Sequence, residues 1–285
     1  MLDSSTKAQL AIDACRVRMG IIEGVYHAHS GHPGGSLSIA ELLTYLYHRV
    51  LRVNPHDPHN PDRDRLVLSK GHCAPGLYAI LAQMGYFPAS ELQTLRHTGA
   101  MLQGHPDMKH TPGVDMSTGS LGQGISAAAG MALAAKLDHK AYRVYAILGD
   151  GELEEGQVWE AAMFAAAKQL DHLTAFVDNN NLQIDGTVAE VNSPYPIDEK
   201  FAAFGWHVIT IDGQDFDQIA AAVAEAQSVV GKPTAVIMKT VKGKGVSYME
   251  NQVGWHGSAP NEAQYHQAMD ELTAALHRLQ SAQAE

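Results

Sequence analysis

The sequence predicts an α/β fold: a mostly parallel sheet with helices on both faces. Two observations predict it. Five short runs are apolar nearly throughout, at 65–69 (RLVLS), 143–148 (RVYAIL), 173–177 (LTAFV), 206–211 (WHVITI) and 234–240 (TAVIMKT). Strands buried on both faces read this way. Segments with three-to-four apolar spacing lie between the last four runs, the alternation that builds a covered parallel sheet. The chain has 285 residues, 45% apolar and 18% charged, which excludes disorder as a whole-chain reading. That length holds one large domain or two small ones.

In chain order, residues 5–28 predict a helix with an apolar stripe of Leu10, Ala14, Val17, Ile21 and Val25. A loop at 30–35 (SGHPGG) breaks it. Ser38 and Glu41 have capping-box spacing and predict the start of the next helix. Residues 54–64 form a proline-punctuated surface loop, followed by the first strand and a helix from Pro75 to Met84. The stretch 99–124 predicts a long loop, and loops of that length inside a domain are usually functional. An Ala-rich helix to Leu137 follows, then the strand–helix alternation, with helices at 155–169 and 215–229. Residues 260–285 predict a polar-faced terminal helix and tail outside a single domain at 1–259.

Composition narrows the function. The formal net charge of −11 argues against non-specific binding to nucleic acid or membrane. Cys15 and Cys73 are the two cysteines, a usage that suits a reducing, cytoplasmic setting. The N-terminus lacks a basic-then-apolar signal pattern. The uncharged stretch from Met116 to Ala135 is long enough to raise a transmembrane question, but its glycine- and hydroxyl-rich first half predicts a polar loop feeding a buried helix. Met1 and the solvated QSAQAE end read as those of a complete gene product.

Ligands of open α/β sheets bind beyond the carboxyl ends of the strands. Those ends carry Gly71-His72, Gly149-Asp150-Gly151, Asp178-Asn179-Asn180 and Lys242-Gly243-Lys244-Gly245. Glycines flanking Asp150 let a ligand approach the backbone. An aspartate beside a phosphate needs a cation between them, and Mg²⁺ takes one or two protein oxygens plus phosphate oxygens. Asn180 follows Asp150 by about one strand–helix–strand unit, so the two can meet at adjacent strand ends. His27, His29 and His32 have the spacing of a zinc cluster, but sugar binding and proton transfer fit the loop histidines better. Cys73 beside His72 lacks an oxyanion motif and is a poor nucleophile candidate.

These residues carry a resemblance. Gly149-Asp150-Gly151, closing with VDNNNLQIDG (177–186), resembles the thiamine diphosphate fingerprint. SGHPGGSLS (30–38), LSKGHCAPGLYA (68–79), GHPD (104–107), STGSLGQGISAAAGMA (117–132), GDGELEEGQVWEAA (149–162) and GWHGSAP (254–260) resemble the transketolase family, in the family's order. The resemblance implies the amino-terminal, diphosphate-binding fold of that family. It implies that Asp150, Asn180 and the Leu182 carbonyl hold Mg²⁺ (or Ca²⁺ or Mn²⁺) and that Gly151 offers its amide to the diphosphate of thiamine diphosphate. Gly119 and Leu121 are implied to line the aminopyrimidine end. His32, His72, His105 and His256 match active-site histidines, His72 and His256 also touching cofactor. Glu155 matches an acidic residue that links paired cofactors at the dimer interface.

In this family the activating glutamate and most of the sugar-phosphate site lie on a second, pyrimidine-binding domain. Only 25 residues follow Pro260 here. The resemblance therefore implies the amino-terminal subunit of a split transketolase, paired in a heterotetramer with a separate chain that carries the pyrimidine-binding and C-terminal domains. Ketol transfer between sugar phosphates is the implied reaction, in carbohydrate metabolism of the pentose phosphate type. The alternatives are a non-catalytic cofactor-binding module, a 2-oxo-acid dehydrogenase subunit or a deoxyxylulose-phosphate synthase-like enzyme.

Overall fold

A computed structural model describes residues 1–284. The amino-terminal third is helical: α1 (Ser4–Ala28), α2 (Pro33–Leu37) and α3 (Ala40–Tyr45), which ends in a π-turn at Leu46–Val50. Strand β1 (Arg65–Leu68) leads through a 3₁₀ turn into α4 (Ala74–Gln83). The long loop then reaches α5 (Gln123–Leu137). The alternating part comprises β2 (Val144–Gly149), α6 (Gly156–Ala167) and β3 (Leu173–Asn179). A two-stranded hairpin, β4 (Leu182–Gln183) and β5 (Gly186–Thr187), precedes α7 (Val188–Asn192) and α8 (Ile197–Ala203). The chain continues through β6 (His207–Asp212), α9 (Phe216–Ser228), β7 (Thr234–Lys239) and α10 (Glu262–Ala284).

All five predicted strands form, in the spatial order β1-β2-β3-β7-β6, and every pairing is parallel. Alternate strand residues divide between two cores. Leu66, Leu68, Tyr145, Ile147, Phe176 and Val236 pack with α1, α3, α4 and α9. Val67, Val144, Ala146, Leu148, Ala175 and Val177 pack with α5, α6 and α8. The second face is built largely of alanines from α5 and α6, which lets these helices lie close to the sheet. Helix α10 packs along α1, burying Ala268 and Leu272 and stacking Tyr265 on Tyr26 at 4.0 Å between ring centroids.

Two local expectations are corrected. The 30–35 loop is short, because Pro33 already occupies the first turn of α2. Ser38 and Glu41 form no capping box: α3 begins after Ile39 with no side-chain cap. The Ser38 hydroxyl instead donates to Asp178 at 2.7 Å, and Glu41 accepts from Arg18 at 2.6 Å. Both partners are distant in sequence, and buried tertiary pairing outcompetes the local cap.

Candidate active site

The parallel register brings the carboxyl ends of β1, β2, β3 and β7 to one edge. Gly149 pairs with Asp178, and Asp178 with Met238, so the residues beyond each strand face a common space. A cavity of about 220 Å³ lies there, lined among others by Lys70, His72, Leu121, Asp150, Lys242 and His256. Gly149, Gly151, Asn180 and Leu182 also line it.

Asp150 is 2% exposed. Its carboxylate accepts the Gly151 amide at 3.0 Å, the Asn181 amide at 2.5 Å and the Asn179 side chain at 3.1 Å. Burial and the neighbouring Asp178 charge push it up to about 6, which marks a carboxylate in want of a cation. Asn180 stands beside it, its amide nitrogen donating to Asp178 at 2.9 Å and its oxygen accepting the Leu182 amide at 3.1 Å. The Leu182 carbonyl accepts from the Lys242 ammonium at 2.8 Å. These three donors are all oxygens, the set a hard divalent ion such as Mg²⁺ takes, and the desolvated Asp150 carboxyl fits it. The glycine backbones at 149 and 151 fit the close approach of a phosphate.

Three of the four predicted histidines meet. The His32 and His72 rings are 5.1 Å apart, His72 and His256 5.1 Å, and His32 and His256 5.5 Å. Burial, reinforced by positive neighbours, lowers His32 to about 4 and His256 to about 3, and drives His72 well below its usual value. All three rings are therefore neutral at physiological pH. The His32 Nδ1 atom is buried without a hydrogen-bond partner among the described residues. His105 stands apart from this trio. It is exposed and packs on Gly119, whose backbone lies near its ring. The Tyr78 hydroxyl anchors this loop by donating to the carbonyls of Gln103 and His105.

Gly119 and Glu155 do not line the cavity. Gly119 belongs to the adjoining polar depression at the head of α5, and Glu155 is exposed just before α6. The zinc spacing at His27, His29 and His32 holds no cluster: His27 faces Glu23 at 3.1 Å while His32 joins the other imidazoles, and no metal-holding group of His, Cys, Asp and Glu occurs among the described residues. Cys73 is fully buried, and burial raises its thiol, the opposite of an activated nucleophile.

Sequence reasoning missed four charged residues. Lys70 is 1% exposed and donates to Asp178 at 2.6 Å and to the Gly35 carbonyl at 2.8 Å. Asp178 also accepts from Ser38 and Thr240. Glu152 accepts from Ser69 at 2.5 Å and from the amides of Gly122 at 2.9 Å and Gly149 at 3.1 Å, tying three strand-end loops together. Lys242 lies at 3.0 Å from His256 Nδ1. Their shared signal is a charged residue at or just beyond an apolar strand, where burial forces it to find a partner. Gly71 permits this crowding, because a Cβ there would lie 2.8 Å from the Gly119 nitrogen.

Comparisons with known proteins agree with this architecture. Residues 7–277 match the family model described as transketolase, thiamine diphosphate binding domain. A 6-deoxy-6-sulfo-D-fructose transketolase subunit from a Clostridium species is 49% identical over 269 residues, 94% of this chain and 98% of that protein. One of the two chains of an apulose-4-phosphate transketolase from Phocaeicola vulgatus is 40% identical over 95% of this chain and 96% of its own length. Human transketolase is 41% identical, matched over 92% of this chain but only 42% of its own length. The transketolase of Pichia stipitis in complex with sedoheptulose 7-phosphate superposes with a TM-score of 0.87 at 32% identity, covering 99% of this chain and 45% of that one. The chain thus spans about half the length of the solved transketolases it matches. It belongs to the transketolase family and carries that family's thiamine diphosphate-binding domain.

Proposed function

We propose that this chain is the diphosphate-binding subunit of a two-chain transketolase, moving a two-carbon ketol unit from a ketose to an aldose with a partner that carries the pyrimidine-binding half. The observation that carries the reading is the single strand-end cavity shared by Asp150, Asn180, Leu182 and the neutral histidines. Two relatives named as transketolase subunits match it along nearly their whole length, which supports a division of the enzyme between chains. The assembly we favour is a heterotetramer, two copies of each chain. Two free, buried cysteines suit a cytoplasmic protein.

In this reading Asp150, Asn180 and the Leu182 carbonyl hold Mg²⁺, with Ca²⁺ or Mn²⁺ as substitutes, and the Gly151 amide holds the diphosphate. Bound thiamine diphosphate supplies the nucleophilic carbon and the electron sink. Gly119 and Leu121 bound its aminopyrimidine side. Neutral His32, His72 and His256 each present a donor nitrogen, so they hold sugar hydroxyls and carry protons to and from the substrate oxygens. His105 does the same from the rim, and Glu155 faces the second half of the assembly. The donor is an anionic ketose, and 6-deoxy-6-sulfofructose leads because the relative named for it shares 49% identity.

The test is two-carbon transfer by the purified chain alone and with its partner, using 6-deoxy-6-sulfofructose, apulose 4-phosphate and fructose 6-phosphate as donors. Turnover is expected only from the pair, and fastest with the sulfosugar. Full turnover by the chain alone would sink the two-chain reading, and equal rates with all three donors would sink the substrate.

A further inference from the structure

We propose that Lys242 is a positioning residue that fixes the tautomer of His256, leaving Nδ1 as the acceptor and Nε2 as the proton-bearing nitrogen. This deepens the functional reading above and rests on it only for its catalytic consequence.

The argument is one of donors and acceptors. The Lys242 nitrogen lies 2.8 Å from the Leu182 carbonyl oxygen and 3.0 Å from His256 Nδ1. A carbonyl oxygen only accepts, and an ammonium only donates. Nδ1 must therefore offer its lone pair, and a neutral imidazole then carries its proton on Nε2.

The lysine has little freedom to withdraw. It is 2% exposed, and its stem runs so close to Gly34 that a Cβ there would lie 3.1 Å from its Cγ. Main-chain bonds from Gly243 to Gly34 at 2.9 Å and from Asn251 to the Lys242 carbonyl at 2.9 Å hold the loop on both sides. His256 lies between this lysine and the other two imidazoles, stacked on His72 at 25° and edge-on to His32 at 87°. With Nδ1 occupied, Nε2–H is what His256 has left to offer an oxygen in the cavity. Burial and the Lys242 charge also disfavour a second proton on this ring. His256 thus acts as a fixed N–H donor toward substrate oxygen. The contact with the Leu182 carbonyl gives one ammonium a hold on both the oxygen expected to ligate the cation and the histidine expected to touch the sugar.

His172 supplies an internal reference. Its Nδ1 lies 3.1 Å from the Tyr142 carbonyl, so the same logic gives it the opposite tautomer, with the proton on Nδ1.

The test is two-bond ¹⁵N–¹H correlation spectroscopy of the full chain with ¹⁵N-labelled histidine, at a pH of about 8, where an ordinary imidazole is neutral. His256→Gln assigns the signal. The wild type should show His256 protonated on Nε2 and His172 on Nδ1. Lys242→Met should give mixed tautomers at His256 and leave His172 unchanged, while Lys242→Arg, which keeps a donor, should retain Nε2–H. Assayed with the partner, Lys242→Met should lower kcat about tenfold or more, in the range seen when a group orienting an active-site histidine is removed, with a smaller change in KM. A wild-type His256 protonated on Nδ1 would overturn the proposal even if no variant folds. So would a His256 that stays wholly Nε2–H in Lys242→Met. A pair of chains that transfers no ketol unit while the spectra behave as expected would sink the functional reading and leave the tautomer assignment standing.

Discussion

Two buried ion pairs of almost equal geometry serve different ends in this molecule. Arg18 and Glu41 approach to 2.6 Å, both nearly out of solvent, and Lys70 and Asp178 also approach to 2.6 Å. The Arg18 guanidinium contacts both Glu41 oxygens and gives its Nε–H to the Lys244 carbonyl at 2.8 Å. It clamps α1, α3 and the loop after β7 far from any ligand. Gly245 makes room for it, since a Cβ there would lie 2.8 Å from the Arg18 Cδ, at a φ of +94°. Asp178 shares its charge more widely, accepting from Lys70, Ser38, Thr240 and Asn180. Burial works to raise its carboxyl, but the Lys70 charge and these donors win and hold it below the usual carboxylate range. One pair closes on itself. The other ends at the cavity, where Lys70 forms part of the wall and Asn180 is turned by the same carboxylate.

Breaking one partner should hurt both pairs alike. Arg18→Met strands the Glu41 carboxylate and Asp178→Leu strands the Lys70 ammonium, and each should cost about 3–5 kcal/mol in urea unfolding. A loss below about 1 kcal/mol at either site would mean that the pair behaves like a surface bridge.

Removing both partners should separate the two. Arg18→Met with Glu41→Leu replaces a closed pair by apolar side chains, so stability should recover and metal-dependent binding of thiamine diphosphate should stay unchanged. Lys70→Met with Asp178→Leu should also recover stability, yet weaken that binding by about 10–100-fold, the effect of losing the group that orients a metal ligand. Calorimetric titration of the four proteins decides. Equal binding by both double variants would show that the Asp178 cluster is only structural.

Glu152 sharpens the contrast from a third side, because it is a buried carboxylate held by neutral donors. Burial raises it despite the Ser69, Gly122 and Gly149 hydrogen bonds. Glu152→Gln turns one acceptor into an NH₂ group facing an amide donor, and should cost about 1–3 kcal/mol, read as a lower melting temperature. A neutral outcome would mean that the three loops hold without it.

Much of this was legible in advance, and what was not has a common cause. The strands were read from continuous apolar runs, and all five lie where those runs are, because burial on both faces leaves no polar option. Asp150 and Asn180 were placed together from their spacing, and adjacent parallel strands bring them there. The capping-box pattern at Ser38 and Glu41 misled because each side chain had a stronger distant partner, Asp178 and Arg18. Lys70 and Asp178 went unread for the same reason. Each follows an apolar strand and resembles a solvated exit, and only the tertiary pairing reveals that both are buried. Lys242 sits in KTVKGKG, where three lysines look alike. The fold buries Lys242 and leaves Lys239 and Lys244 more exposed.

The mildest test of the difference between the two regions is pH. The cavity side alone abuts imidazoles whose titration is displaced, with His32 lowered to about 4 by burial and by nearby positive charge. In the unfolded chain this ring titrates near 6.5. Between those values the unfolded chain binds more protons than the folded one, so stability rises with pH across the window and is lost as acid is added. The full linkage is reduced by solvent screening at this partly exposed ring, which leaves about 1 kcal/mol lost at pH 5 relative to neutrality. His32→Gln has no proton to take up and should unfold in urea with a pH dependence flatter by that amount. The same substitution leaves Arg18 and Glu41 untouched, so any change in slope belongs to the cavity. If wild type and His32→Gln lose stability in parallel between neutrality and pH 5, the acid sensitivity lies elsewhere and His32 is not held neutral by its surroundings.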